Sequence, residues 1–518
     1  MSDYQVAIVG AGPVGLALGI ELGMFGIRTV IYEKHPASLW LPRAQLLNPR
    51  SMEFFRRWGI NEELISKKLL PEDFPIQSVW CTGMAGNVYE TVNLAEIFHD
   101  GLSPEKYHRI PLWITEEVLR QRLKKFKCVQ LIVGTEVTTI SEQAKKVIIN
   151  SSTSAEYVVG CDGANSLVRQ TANIKMQRKL AKQKMISLLF QSKQLKEKMT
   201  VPKGVLYYNL SLKKPAAIGC IDYKNGLWYA QIPYSDNKEL SQLDLSAMID
   251  HVAGINFQKK IKQANFWLMQ TSLAVTYRNK RLLIAGDAAH ILPPTGGHNL
   301  NTGFGDVVNL GWKLAAVIKN QGSDRLLDTY DIERCSVAKR NSRISSKNVK
   351  DLHHIKNAAK DSQQLARQHS ISLGIALGYC YQSSPIIYSP AKKFRSSLRY
   401  YKPRAEAGFF APHCLLRNKN IYDYFSPCYI LLSRNKMTKG IEEVFNKRKI
   451  PLQILELAMD EINEMYPKNF YLLRPDWHIA WLGDNLPKNL CHFIDNLGYL
   501  PFTGEIRAKK NYTPISGR

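Results

Sequence analysis

Gly10-Ala11-Gly12-Pro13-Val14-Gly15 is the first segment whose residue types and spacing carry chemistry. It follows an apolar, β-branched run, Tyr4 to Val9, and precedes Leu16 to Met24, whose apolar residues recur at helical spacing up to Gly26. Strand, glycine turn and helix in this order make a site for a phosphate anion. Gly10 permits the tight turn, Gly12 lets the backbone approach a pyrophosphate, and Gly15 lets the helix pack closely on the strand. The helix start offers unpaired N–H groups and the positive end of a dipole. Arg28 to Tyr32 reads as a second strand that closes at Glu33, 18 residues beyond Gly15, where a carboxylate accepts hydrogen bonds from a ribose. The pattern predicts a bound dinucleotide and does not separate FAD from NAD.

Two further turns follow apolar strands. Val158-Val159-Gly160-Cys161-Asp162-Gly163-Ala164-Asn165-Ser166 leads towards Arg169, and taken alone its Asp-Gly pair is an ordinary turn. Arg281 to Ala285 is followed by Gly286-Asp287-Ala288-Ala289-His290 and by Pro293-Pro294-Thr295-Gly296-Gly297-His298-Asn299-Leu300-Asn301. Phe304, Val308, Trp312 and Ala315 then recur at near-helical spacing. The three segments together resemble the flavin-holding motifs of the FAD-dependent aromatic-ring hydroxylases, the para-hydroxybenzoate hydroxylase and phenol hydroxylase type. Pro42-Arg43-Ala44 with Asn48-Pro49-Arg50-Ser51-Met52-Glu53 resembles another family segment, and Arg474-Pro475-Asp476 with Ala480-Trp481 resembles the signature of the C-terminal thioredoxin-like domain of phenol-hydroxylase-type relatives.

The resemblance implies FAD as cofactor, NAD(P)H and O2 as co-substrates, and a small aromatic substrate, phenolic or polyketide-like, hydroxylated through a flavin C4a-hydroperoxide. The cofactor-binding set it implies is Gly10, Gly12, Pro13, Gly15, Glu33, Lys34, Arg43, Asp162, Gly163, Gly286, Asp287, Pro294, Gly297, Leu300 and Asn301. Asp287 would hold the ribityl chain, the helix start after Gly297 would face the pyrimidine edge of the isoalloxazine, and Arg43 would reach the phosphate or ribityl region. Two positions depart from the family pattern. Asn299 stands where relatives place glycine. Glu116 stands where they supply a flavin contact from Gln or Arg, if Leu119 is the core leucine three residues on. No residue is assigned as a catalytic base; His290 and His298 are candidates for proton transfer or for packing. Epoxidation, Baeyer–Villiger-like insertion or reduction on the same fold are the alternative activities, and a basic nucleic-acid or membrane-binding protein with structural FAD is the remote one.

The elements that must position these residues span most of the 518-residue chain, enough for two or three packed units. The expected fold is α/β, α+β overall. A Rossmann-like FAD domain (1–75, 105–175, 275–350) is interleaved with an antiparallel-sheet substrate domain (76–104, 176–274). A helical connection (351–395) and a thioredoxin-like C-terminal domain (396–518) follow. Val6 to Gly26 is apolar, but Glu21 and its glycines fit strand, turn and helix, and no other stretch reaches the roughly 18 apolar residues of a membrane span. Nine scattered cysteines without a CxxC pair argue against a disulfide framework, a zinc ribbon or a dithiol site, and fit a cytoplasmic protein, monomer or homodimer, with no metal. The formal net charge of +26 favours anionic partners. Its densest stretch, Arg178 to Lys203, has neither zinc-finger spacing nor a stacking set of aromatics, so no nucleic acid and no stable membrane insertion are expected.

Overall fold

The computed structural model describes residues 2–37, 44–94, 101–355, 357–370, 372–388, 396–434, 437–457 and 464–499. Arg43 and residues 95–98 lie outside them, as do parts of the C-terminal segment.

A parallel sheet runs in the order Leu282–Ile284, Thr153–Gly160, Tyr4–Val9, Thr29–Glu33, Val129–Val133. The buried stretches of its inner strands, Val6 to Val9, Val30 to Tyr32 and Tyr157 to Val159, are apolar, as expected of a parallel sheet covered by helices. The helix Pro13–Met24 packs on it with Glu21 wholly buried inside. That carboxylate is satisfied by Arg57 Nε at 2.8 Å and Trp58 Nε1 at 2.7 Å, which is why an acid sits in a segment otherwise apolar. Val9, Glu33, Gly160 and Ile284 end the four central strands on one edge, the edge at which sheets of this kind bind ligands.

A second, eight-stranded sheet runs in the order His290–Ile291, Lys260–Ala274, Met176–Gln191, Leu227–Pro233, Ala216–Asp222, Leu206–Asn209, Gln77–Cys81, Val88–Asn93. All its pairs are antiparallel except Leu206–Asn209 with Gln77–Cys81. One face buries Trp228, Ala230, Ile218 and Leu188 against the helix Leu245–Ala253. The alternation of period two sends Tyr229, Gln231 and Pro233 to the other side. The segment that leaves Leu282–Ile284 turns through Gly286–Ala288 and at once adds His290–Ile291 to the second sheet. A single motif therefore staples the two sheets together.

The helices His298–Ile318 and Arg325–His353 support both sheets. Ala358–Ser370 and Leu373–Leu377 lead towards the C-terminal part. There a mixed four-stranded sheet runs Leu452–Glu456, Tyr429–Ser433, Phe470–Leu473, Ile479–Gly483, with only the first pair parallel. Arg474 and Asp476, quoted above for their family likeness, dock this sheet on the helices. Arg474 bonds Glu333 at 2.6 and 3.0 Å and Asp476 at 2.9 Å, and Lys313 reaches Glu333 at 2.7 Å, all at most 1% exposed. Among the described residues no helix is long and apolar enough to cross a membrane, and no His/Cys/Asp/Glu group is arranged to hold a metal.

Candidate active site

The strand ends of the parallel sheet and the outer face of the antiparallel sheet enclose one continuous cavity of about 1180 Å³. Gly10, Gly12, Pro13, Glu33, Lys34, Asp162, Gly163, Asp287, Pro294, Gly297 and Leu300 line it. Thus eleven of the fifteen residues singled out in the sequence converge on one space from segments almost 300 positions apart.

The glycines divide by function. A Cβ on Gly10, whose φ is +99°, would sit 2.5 Å from the Cys161 carbonyl oxygen, so this glycine lets the first two turns touch. A Cβ on Gly15 would meet the Gly10 carbonyl oxygen at 2.0 Å, so Gly15 brings the helix onto the turn and does not line the cavity. Around Gly12 and Gly163 a Cβ would meet nothing within 4 Å. At these two positions the absent side chain leaves room on the cavity wall, as a bound dinucleotide requires. Gly286 is buried with φ +61° against Val14 and stays behind the wall.

The carboxylates have local duties too. Glu33 accepts from the N–H groups of Ala11 at 2.8 Å and His35 at 2.9 Å, fixing the turn while facing the cavity. Asp162 Oδ2 accepts from Leu167 and Val168 N–H at 2.7 and 3.2 Å, and its Oδ1 is buried without a partner. Burial raises this carboxyl against those hydrogen bonds. Arg169 ties the second turn to the third, donating to the carbonyls of Ala164 at 2.8 Å and Ala288 at 3.0 Å.

The third turn is wired by side chains. Asn299 Nδ2 donates to Asp287 Oδ1 at 2.8 Å, and Asn299 Oδ1 lies 2.8 Å from His290 Nδ1. His290 Nε2 lies 2.8 Å from Asp306 Oδ2, and Asp306 Oδ1 accepts from Arg334 Nε at 2.8 Å. Burial pulls His290 down, but the Asp306 charge and both ring hydrogen bonds outweigh it and raise its pKa. Burial raises Asp306, yet His290 and Arg334 overcome it and hold the carboxyl below its usual range. Both shifts favour the ion pair, with both imidazole nitrogens donating. Asn299 thus links an exposed carboxylate on the cavity, Asp287, to a buried charge network.

His298, eight residues on, has the opposite setting. It opens the helix His298–Ile318 after Gly297 in the left-handed conformation. Its Nε2 has no partner, and burial, with Arg340 nearby, drives it down to about 4, so it is neutral at pH 7. Asn301 does not line the cavity. It donates to the carbonyls of Leu46 at 2.9 Å and Gly297 at 2.6 Å and accepts from Asn48 N at 3.0 Å and Ser51 Oγ at 2.6 Å, so its amide clamps the Leu46–Ser51 segment to the third turn.

The sequence pointed to the helix Leu112–Leu123 as the source of a further cofactor contact and left its residue open. Glu116 does not line the cavity, whereas Leu112 does. Arg120, one turn further, donates to the Ala11 carbonyl oxygen at 3.4 Å inside the glycine turn, and its Nε is buried without a partner. Leu119 and Leu123 of this helix are both buried in the core, at 0% and 2% exposure, and Arg120, like Glu116, does not line the cavity. Arg109, Tyr229 and His369 on the opposite wall carried no sequence signal. His369 stands edge-on to Trp80 at 5.3 Å with both ring nitrogens unpartnered.

Residues 3–345 match the FAD binding domain family model. The chain is 26% identical to the FAD-dependent monooxygenase apdD of Emericella nidulans, over 94% of its own length and 88% of that protein. It is 28% identical to a 3-(3-hydroxy-phenyl)propionate/3-hydroxycinnamic acid hydroxylase of Burkholderia vietnamiensis, over 64% of this chain, and spans only about half (53%) of that relative. Its fold matches RebC with bound 7-carboxy-K252c at TM-score 0.86 and 25% identity, covering 96% of this chain and 99% of the other. Three turns converging on one cavity, together with these matches, lead to one assignment: the chain belongs to the FAD binding domain family and is a FAD-dependent monooxygenase of the aromatic-ring hydroxylase type.

Proposed function

We propose that the protein uses NAD(P)H and O2 to hydroxylate a ring of a flat aromatic or polyketide-like substrate. The observation that carries this reading is the cavity itself, whose one wall is glycine turns and helix starts and whose other is the mixed apolar and polar face of the antiparallel sheet. Bound FAD, once reduced, supplies oxygen activation at its C4a position.

The chain's own residues bind, orient and exclude water. The room at Gly12 and Gly163 suits close approach of a pyrophosphate and a ribityl chain, and Pro13, at the first helical position, has a φ set for the helix start and no N–H to leave unpaired there. Glu33 and Lys34 stand where the adenosine ribose and its phosphate would lie. Arg120 adds positive charge at the Ala11 carbonyl, and Arg43 is assigned its phosphate contact on resemblance alone. Asp287, held by Asn299, would hold the ribityl hydroxyls of a bound FAD, and the helix start after Gly297 would offer N–H donors to its electron-rich edge. Gly15, Gly286 and Asn301 act from behind the wall, by packing the turns. Trp80, Tyr208, Met185 and Trp267 on the sheet face receive the ring and shed water from it. The positive field of the chain favours arrival of the anionic NAD(P)H.

The test is NAD(P)H consumption by the yellow holoenzyme across a phenol and polyketide panel, with product masses. The expected result is ligand-stimulated consumption and a product that has gained one oxygen atom. Stimulated consumption that yields only peroxide across the panel overturns the hydroxylation reading.

A further inference from the structure

Four hydrogen bonds in a row join the cavity wall to the interior behind it, from Asp287 through Asn299, His290 and Asp306 to Arg334. Asp287 is the exposed end, and it lines the cavity. Asp306 Oδ2, which His290 meets, also accepts the N–H of Gly286 at 3.1 Å, next to Asp287 in the chain. His290, Asp306 and Arg334 are at most 1% exposed, so the inner links cannot exchange their partners for water.

The middle of this row has a direction. An amide has one donating and one accepting end, and a carboxylate only accepts. Asn299 gives its Nδ2–H to Asp287 while its Oδ1 takes a hydrogen bond from His290 Nδ1, and that requires a proton on Nδ1. A ring carrying both protons satisfies Asn299 and Asp306 together. A neutral ring has one proton for two places. Kept on Nδ1, it leaves the Nε2 lone pair against the buried Asp306 carboxylate. Kept on Nε2, it preserves that charge-assisted bond, the stronger of the two, and turns a lone pair towards Asn299. The second arrangement costs less. Asn299 then satisfies the ring only by turning its amide over, which sets its oxygen against Asp287. The exposed carboxylate has room to move away, and the buried ring does not.

The groups around His290 keep its second proton in place. Asp306 comes from the helix His298–Ile318, Arg334 from the helix Arg325–His353, and Asp287 from the third turn. Tyr277 stands 6.4 Å from the imidazole between ring centroids, with Tyr330 packed on it, and burial raises both hydroxyls, which stay neutral. The thiols of Cys161 and Cys335, which sense Asp306, are raised by burial as well. The paired strand Lys260–Ala274 meets this segment with Ser272 and Leu273, neither of them charged. Burial works against the imidazolium, but Asp306 outweighs it.

We propose that His290 is a positioning residue for the cofactor: its doubly protonated ring, acting through the Asn299 amide, holds Asp287 where it grips the ribityl chain of FAD. Loss of one proton reverses the amide and releases Asp287, so FAD is held more weakly in alkali. This rests on the placement of Asp287 against the ribityl chain. It adds a dependence on the protonation of a buried residue, which that placement does not contain.

The holoenzyme is diluted at a series of values from about pH 6 to about pH 9, and the FAD released at equilibrium is read by its fluorescence. The Kd of the unaltered protein is expected to rise about five-fold or more across this range, the order of one hydrogen bond to a charged group. N299A cuts the row outside the buried charges. It is expected to lose that rise and to sit near the alkaline value of the unaltered protein throughout. N299S, whose hydroxyl rotates to donate to Asp287 whatever the state of the ring, is expected to lose the rise yet bind more tightly than N299A. Lys313, lowered to about 8, titrates in the same range but is present in every protein compared, so the difference between profiles is what is read. A flat profile in the unaltered protein, a rise that N299A keeps, or an N299A that holds no FAD at any pH each overturns the inference. D287A tests the placement separately and is expected to bind FAD no better than N299A at every pH. D287A with the unaltered protein's affinity overturns the placement. A weakened D287A beside an unaltered protein of flat profile overturns the relay through His290 alone.

Discussion

Two helices begin on the cavity, and they are built in opposite ways. The helix Pro13–Met24 starts with backbone only: its glycines either let segments touch, as at Gly10 and Gly15, or leave room, as at Gly12. The helix His298–Ile318 starts amid a chain of polar side chains, Asp287, Asn299, His290, Asp306 and Arg334. A site made by omitting atoms tolerates no additions but stores little electrostatic energy. A site made of buried charges depends on every partner, because each one left alone pays its own desolvation.

The comparison breaks most sharply at Asp306. Asp306→Ala leaves His290 and Arg334 buried without their counter-charge, and a loss of about 3–5 kcal/mol is expected in urea unfolding. A loss no larger than that of an ordinary core truncation to a hydrogen-bonded neighbour such as Thr302→Ala would mean the network is not held by charge.

The pH dependence separates the two histidines of the second start. His298 has a folded pKa of about 4 against an ordinary 6.5, so the unfolded chain binds its proton first. The stability of the neutral ring is full above pH 6.5 and falls away towards pH 4, by roughly 3 kcal/mol. His290 runs the other way. Its folded pKa is raised, so its contribution is full below pH 6.5 and is lost as pH rises through the folded value. Urea midpoints measured against pH should show a shallower acid slope in His298→Gln, with His108 and His369 keeping the remainder, and a shallower alkaline slope in His290→Gln. Equal slopes in both variants would contradict these assignments.

The first start is probed by a pair of alanines. Gly10→Ala forces a side chain into φ +99° and against the Cys161 carbonyl, and about 1–3 kcal/mol of stability should go together with the flavin. Gly12→Ala meets nothing in the protein, so stability should stay within about 0.5 kcal/mol while FAD affinity falls. FAD retained at full affinity by Gly12→Ala would place the pyrophosphate elsewhere.

A smaller effect than at Gly10 is expected at Asn299. Asn299→Gly removes two hydrogen bonds, at about 1 kcal/mol or slightly more, with weaker FAD retention as Asp287 is released. Calorimetry with and without added FAD reads both effects. Unchanged FAD affinity would reduce Asn299 to a packing residue.

The local parts of this protein were legible in its sequence. A β-branched run, glycines at fixed offsets, a helical apolar repeat and an acid after the second strand specify the first start, because turn sterics and strand or helix periodicity act over a few residues. The same held for the strands Leu206–Asn209 and Leu227–Pro233 and for the Asp-Gly and Gly-Asp turns. Along the helix Leu112–Leu123 the sequence left the contact open at Glu116, since only packing shows that Arg120 of the same helix meets the glycine turn. The partners of Asn299, the clamp made by Asn301 and the pairing of His290 with Asp306 were decided by tertiary structure alone. Each depends on atoms brought together from separate segments, with sheet pairing such as Leu46 with Arg109 and Leu273 with His290 fixing their places, and no short-range rule encodes which buried charge will meet a counter-charge.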